Sequence, residues 1–166
     1  MKSMVRPDKR VEELQALIDS LPGMVFRCTY DQDLTFEYVS EGARALLGYE
    51  PSDLVQINAF RKLVHPRDQL RNKSTLEQIN PGNPRYEMIY RMRMVNGEDK
   101  WVREQGLAIF SAKGDLTIIH GILTDVTAQK IAEMELQTEN RLLRATSDTR
   151  YRLGKLIGKS ASMQRV

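Results

Sequence analysis

Tyr86-Glu87-Met88-Ile89-Tyr90-Arg91-Met92-Arg93-Met94-Val95-Asn96-Gly97 opens the stretch that decides the architecture, a run that ends at Val126. Tyr86, Met88, Tyr90, Met92 and Met94 alternate with Glu87, Ile89, Arg91 and Arg93. A period of two is the signature of a strand with one face turned inward. Asn96-Gly97 then supplies the residues that tolerate positive φ in a tight hairpin turn. Residues 100–110 are the expected partner strand, Lys113-Gly114-Asp115 the next turn, and 116–126 the last strand of a three-stranded antiparallel meander. In that last strand Leu116, Ile118, Ile119, Ile122, Leu123 and Val126 fall on both faces, so both faces are expected to be covered. Helices would cover one face, and an N-terminal helix or a partner subunit the other.

Upstream, Met24-Val25-Phe26-Arg27-Cys28-Thr29-Tyr30 reads as a strand by its β-branched and aromatic content, and residues 35–39 as its hairpin partner across Asp31-Gln32-Asp33. Short helices follow: 41–47, capped by Ser40 and ended by Gly48; a turn from Pro51; and 60–64. A longer helix runs from Pro66 to about Ile79, with Leu70, Leu76 and Ile79 expected on one side, until Asn80-Pro81-Gly82-Asn83-Pro84 breaks it. Before all of these, residues 8–20 form an amphipathic helix capped by Asp8, with Val11, Leu14, Leu17, Ile18 and Leu21 as its stripe. The fold class is α+β: a five-stranded antiparallel sheet with short helices on one face, flanked by an N-terminal and a C-terminal helix.

After Thr127 the composition turns helical for about 25 residues. Ile131, Met134, Thr138, Leu142, Ala145 and Thr149 recur at spacings of three and four, a heptad-like seam with polar members. Ile131, Met134 and Leu142 are its expected dimer contacts; a single solvated helix is the alternative reading. The expected organisation is an N-terminal helix over 1–22, a domain over 23–127, a helical linker over 128–153 and the start of another domain over 154–166.

The balance of 41% hydrophobic and 28% charged residues is that of a globular chain. No apolar run reaches the ~20 residues of a membrane span, and the N-terminus lacks the apolar stretch of a signal peptide. One cysteine, Cys28, supports no internal disulfide and fits a reducing compartment, so the expected location is the cytoplasm. Within the net charge of +3, residues 141–166 hold seven Lys/Arg against one acid, and the body before them is net acidic. The body is not a polyanion-binding surface, and direct nucleic-acid contact is not expected. His65 and His120 lie far apart without ligand spacing, so no metal site is expected. No nucleophile–base set is apparent, and an enzyme is not expected.

Several strings resemble the PAS family. Phe36-Glu37-Tyr38-Val39-Ser40 followed by Leu46-Leu47-Gly48-Tyr49 is similar to its second strand and first short helix. Leu63-Val64-His65-Pro66-Arg67-Asp68 resembles its entry into the long helix. Tyr90-Arg91, Asn96-Gly97 and Trp101-Val102-Arg103-Glu104 resemble its paired long strands. Leu123-Thr124-Asp125-Val126-Thr127, with Lys130, resembles the string that closes its last strand. The resemblance spans about 23–127 and implies a sensory domain whose strand-to-helix junction, Asp125 and Thr127, passes motion of the sheet to the helix beyond. It also implies a cavity between sheet and helices, for which alternation nominates Tyr90, Met92, Ile109, His120 and Ile122, with Leu47 and Leu63 from the helices, as ligand contacts or as plain core. The cofactor is unknown. The long helix has no His for haem, and Cys28 stands outside the family's photochemical flavin string; an unidentified small molecule is the ligand the resemblance leaves open.

The final residues, Leu156-Ile157-Gly158-Lys159-Ser160-Ala161-Ser162-Met163-Gln164, resemble the opening of the AAA+ domain of sigma-54-dependent transcriptional activators. No G-x-x-x-x-G-K-[ST] phosphate loop occurs, so ATP binding is not expected in this chain. Together the resemblances imply a homodimeric signal-sensing domain regulating an AAA+ domain in cis. An interaction module without ligand, or the input domain of a histidine kinase, are the other readings.

Overall fold

The alternation of the meander carries directly into its pairing. The structure, a computed structural model, describes residues 8–57 and 60–163. Residues 1–7 of the expected N-terminal segment, and 164–166 of the expected last segment with Gln164, lie outside the described residues. The chain divides into one unit ending at Thr127 and a second beginning at Ala128.

The first unit begins with α1 (Lys9–Ser20), started by the Asp8 carboxylate accepting the Arg10 N–H at 3.4 Å. β1 (Met24–Thr29) and β2 (Thr35–Val39) form the first hairpin, its turn held by Asp31 accepting the N–H groups of Asp33 and Thr35, each at 3.1 Å. α2 (Gly42–Leu47), α3 (Pro51–Ile57), α4 (Phe60–Leu63) and α5 (Pro66–Glu77) follow. β3 (Arg85–Arg93), β4 (Asp99–Phe110) and β5 (Leu116–Asp125) complete an antiparallel sheet of order β2-β1-β5-β4-β3. Ser40 does not cap α2. Its hydroxyl accepts the Val25 N–H at 2.9 Å instead, tying the end of β2 to β1.

Met24, Phe26, Cys28, Met88, Tyr90, Met92, Val102, Ile119 and Leu123 point from the sheet into one buried core with Leu46, Leu47, Leu54, Leu63 and Leu76 from the helices. Phe26, Phe36 and Phe60 meet at its centre, with centroids 4.8 to 5.8 Å apart. Gly106 and Gly121 face each other in the register of β4 and β5. A β-carbon on Gly106 would lie 2.2 Å from the Tyr86 ring, and one on Gly121 2.5 Å from the Phe26 ring. The two glycines make a trough across the sheet that both rings fill.

One expectation about faces is overturned. On α5 the buried side chains are Asp68, Asn72 and Leu76, while Leu70 is 76% exposed. The spacing of four defines the inward face, and its first member is polar because Asp68 serves a hydrogen-bonded site rather than an oily one. On the far side of the sheet, no α1 residue is buried, and Val11, Leu14 and Leu17 remain exposed. From the stripe Ile18 and Leu21 line an open groove on that sheet face, and Gln15 donates to the Tyr38 hydroxyl at 2.8 Å.

The second unit is helical. α6 (Thr127–Met163) continues well past the 25 residues read from composition and runs unbroken through Gly154 and Gly158. Ile131, Met134 and Leu142 are all exposed on it. The Thr138 and Thr149 hydroxyls donate to the carbonyls of Met134 and Ala145, so these seam positions satisfy their polarity within their own helix. Among the described residues no helix is long and apolar enough to cross a membrane.

Candidate functional site

Strand alternation sorts the nominated pocket residues into two places. Leu47, Leu63, Tyr90 and Met92 are buried on the helix-covered face. Ile109, His120 and Ile122 are not with them. On β5 the inward residues are Ile119 and Leu123, and on β4 they are Val102, Glu104 and Ala108, so the odd-numbered Ile109 and even-numbered His120 and Ile122 face the opposite side. His120 and Ile122 line an open groove of about 660 Å³ with Ile18, Leu21 and Val25. Of the seven, Tyr90 alone lines the cavity between sheet and helices, a space of about 20 Å³, room for roughly one water.

That cavity contains the residue the sequence reading missed. Glu104 is 2% exposed, in mid-strand on β4, with its two carboxyl oxygens accepting hydrogen bonds from the Tyr86 and Tyr90 hydroxyls. Its parity is shared with Val102 and Ala108, the one signal in the sequence that could have placed it inside. Burial pushes the Glu104 carboxyl up, against the two tyrosine hydrogen bonds that pull it down. Burial, with Glu104 nearby, pushes both phenols and the Cys28 thiol up as well.

The titration of Glu104 is readable as stability. The folded protein holds this proton more tightly than the unfolded chain does, so Glu104 supports folding below the ordinary glutamate value and loses that support as pH rises towards its raised folded value. The variant Glu104→Gln lacks that decline. Urea denaturation of both proteins across mildly acidic to neutral pH should show the variant gaining on the parent as pH rises. A constant difference would mean that Glu104 titrates alike in both states.

α5 is positioned against β3 by a second buried carboxylate. Asp68 accepts from the Arg91 backbone N–H at 3.0 Å and from its Nε and Nη2 at 2.9 and 3.0 Å. The Arg91 guanidinium also lies 5.2 Å over the Trp101 ring. The Arg91 hydrogen bonds hold Asp68 below the usual carboxylate range despite its burial. His65 starts α5 by accepting the Arg67 N–H on Nδ1 at 3.2 Å.

At the strand-to-helix junction Asp125 and Thr127 take separate roles. The Thr127 hydroxyl does not cap the helix; it accepts the Trp101 N–H at 3.1 Å and sits 3.4 Å from the Trp101 carbonyl. Asp125 accepts the Thr127 N–H at 2.9 Å, and Lys100 Nζ approaches its carboxylate at 3.1 Å. The Val126 N–H donates to the Trp101 carbonyl at 2.9 Å. The end of β5 is thus stitched to the start of β4, three residues from Glu104.

A family model described as PAS fold matches residues 36–123, and this chain belongs to the PAS family. The chain is 29% identical over 133 residues to the methyl sulfide methyltransferase-associated sensor of Methanosarcina acetivorans, covering 79% of this chain and 13% of that protein. It is 24% identical over 123 residues to the sensor protein FixL of Bradyrhizobium diazoefficiens, covering 73% of this chain and 24% of that protein. The chain therefore spans less than a quarter of the length of either relative. Among solved structures, a sensory box histidine kinase/response regulator of Burkholderia thailandensis is 22% identical with a TM-score of 0.63, covering 82% of this chain and 98% of that one. An RNA-binding light-oxygen-voltage receptor is 14% identical with a TM-score of 0.65, covering 85% of this chain and 40% of that one. These likenesses establish a shared fold.

Proposed function

We propose that this chain is the signal-input and dimerising domain of a cytoplasmic sigma-54-dependent transcriptional activator. Its task is to convert occupancy of the core site into a change at the base of α6. The observation that carries this reading is the shared strand: β4 holds Glu104 in the core and, at Trp101, holds Thr127 at the start of α6. A shift of β4 by a fraction of an ångström at one end must disturb hydrogen bonds at the other, because the packed sheet between them is stiff. The exposed Ile131, Met134 and Leu142 favour a second copy of α6 as the partner that receives the change. The similarity of residues 156–164 to the opening of an AAA+ domain supports an ATPase in cis as the output.

The test uses the full-length protein and a sigma-54-dependent reporter gene. Asp125→Ala removes the acceptor for the Thr127 N–H at a cost of about 1 kcal/mol, so the domain stays folded. Reporter output should change several-fold, and amide exchange should quicken in the first turn of α6. Unaltered output with quickened exchange would sink the coupling. Output by histidine phosphorylation in place of sigma-54-dependent transcription would identify the input domain of a histidine kinase.

A further inference from the structure

The cavity beneath the sheet is small, and its polar chemistry is one-sided. Asn72 is 8% exposed, yet its shielded Oδ1 has no hydrogen-bond partner. Gln69 donates its amide N–H groups to the carbonyls of Arg61 and Val64 at 3.2 and 3.0 Å, which leaves its Oε1 as an acceptor. Each Glu104 oxygen keeps a lone pair after its tyrosine bond. No Lys, Arg or His lines the space, and Glu104 makes no ion pair among the described residues. Titratable neighbours are Cys28 from β1 and Tyr90 from β3 in the wall, with Tyr86 behind Glu104; α4 and α5 contribute no charge to it.

Once Glu104 has lost its proton, the free valences of this wall are acceptors. Beside that carboxylate a water, with two donors and two lone pairs, would find only the weak thiol donor of Cys28 for its lone pairs. A cation of water size that carries donors alone leaves nothing unmatched, and the volume of about 20 Å³ admits one such particle. We propose that this cavity binds an ammonium ion, held by Asn72 Oδ1, Gln69 Oε1 and the Glu104 carboxylate. On binding, the Glu104 carboxyl loses its proton to solvent as the ammonium enters, so the buried site stays neutral overall. The Tyr86 and Tyr90 hydroxyls are already placed to donate to the carboxylate so formed. A buried ion pair survives only when its remaining hydrogen bonds are met in this way.

An entry path is visible. Asn72 and Met88 line both the cavity and an outer groove of about 370 Å³ beside α5 and β3, where Glu87 also stands. Met88 is unbranched, a side chain that adapts readily to a small ion passing between the two spaces. Ammonium as the signal rests on the input-domain reading above; the binding itself does not.

The 166-residue chain, titrated with ammonium chloride at constant ionic strength, should show saturable one-site heat and release of a proton, with sodium and potassium chloride as controls. Glu104→Gln and Asn72→Leu should each weaken binding by more than about tenfold, the loss expected for a hydrogen bond to a charged group. Circular dichroism establishes that each variant is folded, and either folded variant suffices. Equal heat from potassium or sodium, no saturable heat, or undiminished affinity in a folded variant would overturn the proposal. Binding with no response of the reporter would instead count against the input-domain reading, and loss of binding with an intact Asp125→Ala effect would count against ammonium alone.

Discussion

Gly42→Ala should destabilise the domain by about 3 kcal/mol or more, a large share of the ~5–15 kcal/mol that holds an ordinary domain folded. A β-carbon at Gly42 would stand 1.8 Å from the Gly23 carbonyl oxygen and 2.7 Å from its carbon. Gly23 cannot retreat. It sits at φ 113°, and a β-carbon placed on it would lie 2.1 Å from the Leu123 carbonyl oxygen. Three backbones, of α2, the lead into β1, and β5, are stacked there without side chains between them. Overpacking against a side chain can be relieved by a rotamer change; overpacking against a carbonyl requires moving an element. The measurement is the urea midpoint, with an unchanged dependence on denaturant showing that both variants unfold the same structure. A loss below about 1 kcal/mol would mean that α2 moves freely against the sheet.

Arg91→Ala should cost nearly as much, for an electrostatic reason. It strips the Asp68 carboxylate, 5% exposed, of its bidentate partner and leaves only its bond to the residue 91 N–H and the more distant Arg71 at 3.7 Å. Breaking one side of a buried pair costs about 3–5 kcal/mol, and the partial exposure of Arg91 places this one near the lower end. The pH dependence has a definite sign. Arg91 lowers the folded value of Asp68, so the pair stabilises above the ordinary aspartate value and loses its contribution as pH falls through the lowered folded value. Parent and variant should therefore converge in stability as the solution is acidified; a gap that stays constant would show that the loss is one of packing. Arg91→Lys should recover only part of the loss, since it keeps the charge but neither the fork on Asp68 nor the stacking on Trp101.

Much of the architecture was legible because it rests on local rules. The alternation of Tyr86 to Met92, the Asn96-Gly97 turn and the glycine at position 48 each encode a conformation in residues close in the chain, and the structure has Gly97 and Gly48 at φ 85° and 80°. The order of elements followed from such signals alone, and the PAS-like strings added the fold. The helix after Thr127 was legible in kind but not in length. It runs on through Gly154 and Gly158, since single glycines cost a helix only about 1 kcal/mol each.

The candidate site depended on residues distant in sequence. Glu104 lies in a strand whose polar neighbours Arg103 and Gln105 face outward, and only its parity with Val102 and Ala108 marks it as the carboxyl taken inside. What permits its burial is two hydroxyls from β3, 18 and 14 residues away. Asp68 broke the oily pattern expected of α5 because Arg91, 23 residues on, supplies the countercharge. The same holds for the junction, where the Thr127 hydroxyl bonds the main chain of Trp101, 26 residues back. The sequence by itself determined where strands, turns and helices form, because those depend on φ/ψ preferences and on the period of apolar residues. The tertiary structure alone decided which polar groups are buried, since a buried polar group is stable only where a partner from another element meets it.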